Sequence, residues 1–226
     1  MARTLIRRIS FAAACRSPRH GCLRSCQSVI DVGCGSGGML GVLRAQGASP
    51  IGVDLSFTAL FGASRRFPLV VAHPTALPFR PGSLDGAVLH HVLEHSDEPR
   101  RLLCEIAASL RRGGRVRVVV PRADSMLARV LGSWFDGWDV PRHRVHFVES
   151  GLVRLLDEVA LEVDAVRQFP EPGSVVRSVE HRIGRRAPRI LAVASRLALG
   201  AVLWAVWPVV RRSSVLDIVA RRSEAA

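Results

Sequence analysis

A glycine-rich turn between a predicted strand and a predicted helix constrains the fold of this chain more than any other feature. The β-branched run Ser28–Val32 leads into the turn Gly33–Gly38, and an apolar period of 3.6 residues follows over residues 39–45. Strand, glycine turn and helix in this order predict a βα unit. The glycines allow a sharp turn and a close approach of a ligand to the backbone, and the helix start offers free N–H groups. The pattern therefore indicates a nucleotide-like ligand.

A carboxylate follows the second predicted strand. The run Pro50–Val53 ends in Asp54, about twenty residues after the first glycine, where an acid can accept two hydrogen bonds from a ribose diol. The spacing of Gly33, Gly35 and Gly38 also satisfies the G-x-G-x-x-G fingerprint of dinucleotide-binding proteins. At this point a nicotinamide enzyme and another nucleotide-binding α/β protein both remain open.

The ordered series of motifs along the chain separates these two interpretations. It comprises Val29–Gly37, Asp54, Leu77–Phe79, Leu84–Asp85, Val92–His95, Leu110–Arg115 and Val116–Pro121. The series resembles the class I S-adenosylmethionine-dependent methyltransferases, in particular the small-molecule branch that includes quinone-biosynthesis methyltransferases, from Val29 to Phe169. This resemblance implies a Rossmann-like α/β fold with a doubly wound, mostly parallel sheet. It also implies an enzyme that transfers a methyl group from S-adenosyl-L-methionine to a small hydrophobic or membrane-associated acceptor.

The resemblance also assigns the residues that would bind the cofactor. Asp31 and the turn from Gly33 to Gly37 would hold the methionine end, Asp54 the ribose hydroxyls, and Leu55 and Leu77 the faces of the adenine; plain core packing of both leucines is equally open. The turn residues implied are Gly33, Cys34, Gly35 and Gly37.

The third strand departs from the family pattern. The family commonly has an Asp-Ala pair before its Leu-Pro-Phe turn, and this chain has His73-Pro74. The family's Asp accepts from the adenine amino group and the next backbone N–H donates to a ring nitrogen. His73 can still accept, but Pro74 has no N–H to donate unless Thr75 or Ala76 replaces it. A cofactor-deficient relative that serves as an interaction module at a membrane is therefore the alternative function.

Candidate acceptor-side residues lie farther along the chain. The predicted strand Asp85–Leu89 delivers His90 and His91 to its carboxyl end, where a histidine can act as a general base; capping of the strand or lining of the pocket is the alternative. Glu94 and His95 belong to a motif common in the family and are interpreted as helix-start structure. After a predicted helix at Met126–Phe135, the candidates for the acceptor pocket are Trp134, Trp138 and His143, with core burial of the tryptophans as the alternative.

The sequence predicts no metal site. The cluster Cys15, His20, Cys22 and Cys26 has no zinc-ligand spacing, and the group His90, His91, Glu94 and His95 lacks the H-E-x-x-H order. Five cysteines without dense, regular spacing predict a reduced, cytoplasmic setting.

The charge divides the chain into three stretches. All 32 basic residues are Arg. Residues 1–27 hold six Arg and no acid, residues 28–176 hold equal numbers of Arg and acids, and residues 177–226 hold ten Arg against three acids. With the motifs, this predicts a flexible basic arm at 1–27, a cofactor-binding core at 28–170, and a basic and apolar element at 171–226 that ends in a strand near Ser214–Ala220. Excess charge at the ends favours an anionic membrane surface over nucleic acid as a partner and predicts a cytoplasmic protein peripheral to the membrane.

An apolar run at Ile190–Val210 is long enough to cross a bilayer as a helix. Arg196 within the run, and a final strand that must rejoin the sheet, favour an interfacial or re-entrant element. A buried helix, a dimer interface and a transmembrane anchor remain alternatives, and the oligomeric state stays open.

Overall fold

The computed structural model describes residues 23, 26–57, 66–169, 174, 177, 178 and 214–224. Among these residues, seven strands form one sheet: β1 (Ser28–Val32), β2 (Ser49–Asp54), β3 (Leu69–Val71), β4 (Leu84–His90), β5 (Leu110–Pro121), β6 (Leu161–Phe169) and β7 (Val215–Arg222). Their spatial order is β3-β2-β1-β4-β5-β7-β6. The helices are α1 (Gly38–Ala45), α2 (Pro99–Ser109), α3 (Met126–Leu131) and α4 (Glu149–Asp157), with short 3-10 helices at Leu93–His95 and Gly132–Trp134.

The direction in which the strands are added reverses beside β1. The chain builds β2 and β3 on one side of β1 and then β4 and β5 on the other, and all of these pairings are parallel. β7 lies between β5 and β6 and pairs antiparallel with both. The predicted doubly wound, mostly parallel α/β sheet is thus confirmed. In such sheets ligands bind outside the carboxyl ends of the strands at the reversal, which places the site at the ends of β1 and β4.

Helices cover both faces of the sheet because the central strands are apolar on both sides. Val29 and Val88 pack with Met39 and Leu43 of α1 on one face. Their neighbours along β1 and β4 point the other way and pack with apolar side chains of α2 and α4, namely Leu102, Leu103, Ile106, Leu152 and Leu156. Continuous apolar runs are typical of parallel strands that are buried on both faces.

The observed helices differ from the predicted ones where the backbone leaves the right-handed region. The helix predicted at Met126–Phe135 ends at Leu131, because Gly132 takes a φ of +54° and a 3-10 turn follows. α4 ends at Asp157, and Ala160 turns the chain into β6 with a φ of +57°. Glycine is the usual residue for that conformation.

The C-terminal strand is an internal part of the sheet. β7 corresponds to the predicted final strand near Ser214–Ala220. Arg117 of β5 and Asp217 of β7 form a buried ion pair in which two guanidinium N–H groups donate to the carboxylate at 2.7 and 3.0 Å. The predicted boundaries at residues 27 and 170 stay predictions. Most of the predicted arm, with Cys15, His20 and Cys22, and the run Ile190–Val210 lie outside the described residues.

In the part of the chain that the structure describes, no helix is both long and apolar enough to cross a membrane.

Candidate active site

The backbone of the glycine turn is hydrogen-bonded to the neighbouring strand β2. The N–H groups of Gly33 and Cys34 both donate to the carbonyl of Val53, at 2.7 and 3.1 Å. A Cβ at Gly33, whose φ is +68°, would lie 2.5 Å from Cγ2 of Val92, so the turn packs closely on the segment after β4. These contacts fix the turn between the ends of β1, β2 and β4.

Gly35 leaves open space where a ligand can approach. Its φ is +50°, and a Cβ built there would meet no atom within 4 Å. At Gly37 the backbone is again left-handed, and within the described segments no side chain caps α1. The turn therefore presents bare backbone toward the carboxyl edge of the sheet, as a nucleotide-binding turn requires.

Asp54 organises the same turn from the end of β2. One carboxylate oxygen accepts from the N–H of Gly35 at 3.0 Å, and the other accepts from the N–H of Ser56 at 2.9 Å. The half-buried carboxylate retains lone pairs beyond these two bonds. Asp54 lies where the sequence predicts the ribose contact, with its charge beside the turn.

Asp31 is the most unusual carboxylate of the site. Its side chain is only 2% exposed, and among the described residues no group donates to its Oδ2 atom. Burial, and secondly the charge of Asp54, raises the pKa of Asp31 to about 8. A buried acceptor without a donor is costly, so the site favours a ligand that brings a positively charged or N–H-bearing group. The amino group at the methionine end of S-adenosylmethionine is such a group, and the residues present fit this cofactor.

Cys34 faces the core rather than a ligand. Its buried side chain packs with Leu40, and burial together with the charges of Asp31 and Asp54 raises the pKa of the thiol to about 12. The thiol is therefore protonated and unreactive near neutral pH. Any contact of Cys34 with the predicted cofactor would be through its backbone.

The two leucines predicted to flank the adenine lie in different environments. Leu55 is 59% exposed just after β2, whereas Leu77 is buried in the main core. Phe57 and Val71 are also exposed near the ends of β2 and β3, and sequence reasoning missed both. Val71 pairs with Asp54 across the sheet, so the end of β3 was the signal that could have indicated it.

The departure at His73-Pro74 forms a closed local turn. Nδ1 of His73 accepts from the N–H of Thr75 at 3.3 Å and lies 2.7 Å from its hydroxyl oxygen. The N–H of Ala76 donates to the carbonyl of His73 at 2.9 Å. The two N–H groups proposed as replacements for the one that Pro74 lacks are thus already engaged. In its neutral form His73 then carries its proton on Nε2, which makes that nitrogen a donor.

The predicted bases lie at the end of β4. The rings of His90 and His91 meet edge to face with centroids 4.8 Å apart. Nδ1 of His91 lies 2.9 Å from Oε1 of Glu94, whose side chain is 1% exposed. The sequence predicts a helix-start role for Glu94, but among the described contacts its carboxylate bonds to the imidazole and not to a backbone N–H of the helix.

The loop after α3 brings the predicted acceptor residues to the same edge. The N–H groups of Arg144 and Val145 donate to the carbonyl of Glu94 at 2.7 and 3.2 Å. His143 lies edge to face with His95, with ring centroids 4.8 Å apart, while Trp138 packs on Phe135 and His146. The structure therefore brings His143 next to the Val92–His95 motif, holds Trp138 within the loop, and leaves Trp134 exposed.

Residues that could hold a metal are Glu94, His95 and His143, each of which offers one potential ligand atom within 4.8 Å of the others. Sequence reasoning missed this grouping because His143 is distant along the chain. The absence of a metal stays a prediction.

Comparison with known proteins identifies the family of this fold and site. A family model described as a methyltransferase domain matches residues 1–166. The chain belongs to this methyltransferase family. Membership confirms the class I resemblance, and S-adenosylmethionine is the cofactor that this family resemblance supports.

Individual curated relatives of the chain agree with this family assignment. A ubiquinone biosynthesis O-methyltransferase of Idiomarina loihiensis is 28% identical over 160 residues, which are 62% of this chain and 63% of the relative. The chain spans between about a third and two thirds of the length of the first curated relatives that it matches.

Solved structures share the fold. A SAM-dependent methyltransferase from Archaeoglobus fulgidus aligns with a TM-score of 0.67 at 16% identity, covering 94% of both chains. A Burkholderia thailandensis 1,6-didemethyltoxoflavin-N1-methyltransferase with bound S-adenosylhomocysteine aligns with a TM-score of 0.61 at 20% identity, covering 95% of this chain and 79% of the other.

Proposed function

We propose that this protein transfers a methyl group from S-adenosylmethionine to a small, hydrophobic acceptor. The observation that carries the proposal is the buried Oδ2 of Asp31, to which no group in the described part of the chain donates, beside a glycine turn in which the N–H of Gly35 donates to Asp54. The combination supplies one acceptor for an amino group, one carboxylate for a ribose diol, and bare backbone between them. The methionine end of the cofactor would be lined by Gly33, Cys34, Gly35 and Gly37. Asp31 would bind the amino group and Asp54 the ribose, which orients the cofactor.

The exposed apolar residues beyond Asp54 fit an adenine. Leu55 and Phe57 follow the last residue of β2, and Val71 is the last residue of the adjacent strand β3; all three are exposed. We propose that Leu55 contacts one face of the base, with Phe57 and Val71 as further contacts and Leu77 supporting the pocket from the core. His73 would face the adenine edge, where its Nε2–H can supply the donor that Pro74 lacks.

His91, with His90 beside it, is proposed as the general base. A base is required when the acceptor is a hydroxyl, an acidic carbon or a protonated amine. When bound, S-adenosylmethionine supplies an electrophilic methyl group, and its transfer leaves the electron pair of the C–S bond on sulfur. The chain would align the acceptor through His143 and Trp138 and keep water from it.

Exposed apolar side chains on and near α3 support a hydrophobic acceptor and contact with a membrane surface. Met126, Val130 and Trp134 follow one another at four-residue intervals on and just after α3, and all three are exposed. Val140 in the loop that carries His143 is exposed as well. Ubiquinone and demethylmenaquinone methyltransferases are among the curated relatives, and quinone precursors are apolar acceptors. The proposed location is therefore cytoplasmic, with peripheral contact to an anionic membrane.

Calorimetric titration with S-adenosylmethionine tests the cofactor. We expect micromolar binding by the full chain and a loss of at least about 100-fold in Asp54→Ala, because a carboxylate that holds both turn and ribose makes charge-assisted hydrogen bonds. Asp157→Ala on α4 is the matched control and should bind as the wild type does. An unchanged affinity in Asp54→Ala would contradict the proposal.

The acceptor is tested with chemical probes. A catechol and a 1,4-naphthoquinol, each with and without a prenyl chain, are incubated with the protein and S-adenosylmethionine, and the products are analysed by mass spectrometry. We expect methylation of at least one probe and a preference for the prenylated form. Methylation of only the polar probes would contradict the hydrophobic acceptor.

The second candidate function is a cofactor-deficient interaction module at a membrane. The closed turn at His73-Pro74 favours it, because the N–H groups of Thr75 and Ala76 are already engaged. No binding at millimolar S-adenosylmethionine, together with sedimentation on anionic vesicles, would support this candidate over the enzyme.

A further inference from the structure

The backbone of His91 has a conformation that residues other than glycine rarely adopt. Its φ is +55°, in the left-handed region, which costs free energy in a residue other than glycine. Its N–H donates to the carbonyl of Val119 at 2.9 Å, so the neighbouring strand β5 holds the bend in place. Strain that the sheet maintains at the carboxyl edge, beside the glycine turn, is typical of a functional position.

Glu94 is buried at the other end of the same short segment. Oε1 lies 2.9 Å from Nδ1 of His91, and among the described residues Oε2 has no partner. A buried carboxylate that keeps one oxygen unsatisfied costs free energy, and no side chain of the described residues caps the Leu93–His95 helix in return. A purely structural role would be served better by an apolar residue.

The two residues are fixed relative to the proposed cofactor. Val92, between them, packs against Gly33 of the glycine turn, and the carbonyl of Glu94 accepts from the loop that carries His143. The carboxylate and the imidazole therefore lie on one segment. That segment contacts both the glycine turn and the loop that carries His143.

We infer that Glu94 is a positioning residue that holds the proton of His91 on Nδ1 and so presents Nε2 to the acceptor. This inference rests on the proposed methyl transfer. Nε2 of His91 takes the proton of an acceptor hydroxyl, the oxygen forms the new bond to the methyl carbon, and the pair of the broken C–S bond stays on sulfur. The carboxylate of Glu94 stabilises the imidazolium until the proton passes to water.

The tautomer of His91 tests the inference directly. Full-length protein labelled with 15N-histidine and prepared with a chelator is studied by long-range 1H–15N spectra, with His91→Gln used to assign the signal. We expect His91 to be protonated on Nδ1 in the wild type. In Glu94→Gln we expect a mixture of tautomers, because the amide can both donate and accept. Protonation on Nε2 in the wild type overturns the inference, and this measurement requires no variant of Glu94 to fold.

The rate at which the protein methylates its acceptor probe gives a second measurement. We expect Glu94→Gln to lower kcat by about 10- to 100-fold with little change in the KM for S-adenosylmethionine, and Glu94→Asp to recover part of the loss. Glu98→Gln, in an exposed ion pair with Arg101, is the matched control and should change neither. An unchanged tautomer and unchanged kcat in Glu94→Gln overturn the positioning role. Failure of the wild type to bind S-adenosylmethionine overturns the proposed function instead.

Discussion

At the scale of single residues, Asp31 links stability to pH. Its pKa rises from 3.8 to about 8 in the folded protein, so the folded state holds this proton more tightly than the unfolded chain. The contribution to stability is greatest below the unfolded pKa and is lost as pH rises through about 8, by up to about 1.4 kcal/mol per pH unit.

Asp31→Asn should therefore be more stable than the wild type near pH 8, because the amide has no charge to bury. The gap in unfolding free energy from urea titrations should shrink as pH falls toward the ordinary pKa of an aspartate. The same variant should lose S-adenosylmethionine binding, since an amide cannot pair with an ammonium as a carboxylate does. Equal pH slopes in the two proteins would contradict the assignment.

The His73-Pro74 pair gives a second prediction at this scale. The double variant His73→Asp/Pro74→Ala restores an acceptor for the adenine amino group and a backbone N–H donor, and it releases the N–H of Thr75 from the ring of His73. We expect S-adenosylmethionine to bind about tenfold more tightly, measured by calorimetry, since each hydrogen bond is worth about 1 kcal/mol. Weaker binding would contradict this prediction and show that the Nε2–H of His73 serves the adenine better than the two restored groups.

At the scale of elements, a comparison of glycine variants distinguishes the cost of backbone strain from the loss of ligand binding. Gly35 and Gly47 both have positive φ and open space around an added Cβ, but Gly47 lies after α1, away from the proposed site. Gly35→Ala and Gly47→Ala should each cost about 1–2 kcal/mol of unfolding free energy. Only Gly35→Ala should lose cofactor binding, because its methyl group fills the space left for the ligand.

Gly33→Ala should be more costly than either of these variants. The added carbon meets Val92 at 2.5 Å in addition to the strain of a φ of +68°. Thermal and urea unfolding of the three variants give the order. A Gly33→Ala protein as stable as Gly47→Ala would contradict the close packing of the turn on the segment after β4.

At the scale of the whole molecule, a buried ion pair connects the C-terminal strand to the centre of the sheet. Arg117 and Asp217 are 1% and 0% exposed, and they bond through two N–H···O contacts. Arg117→Met alone should destabilise the fold by about 3–5 kcal/mol, because it leaves Asp217 buried and unpaired. Arg117→Met/Asp217→Leu should recover most of that loss in urea denaturation. Additive losses would contradict the pairing.

Local sequence patterns predicted much of the fold and part of the site. The β-branched runs and the glycine turn predicted β1, α1 and β2, together with the positions of Asp31 and Asp54, because strand and helix periods are set by neighbouring residues. The ends of α3 and α4 could not be predicted, since a positive φ at Gly132 or Ala160 depends on how the following segment packs.

The sequence by itself determined the βα unit, the family resemblance and the residues offered to a cofactor, because these depend on residue types at short, fixed spacings. Only the tertiary structure decided that β7 lies between β5 and β6, that Asp217 reaches Arg117, and that His143 lies against His95. Those contacts join segments far apart along the chain. They arise from the spatial order of the strands in the sheet. The local periodicity of the sequence does not encode that order.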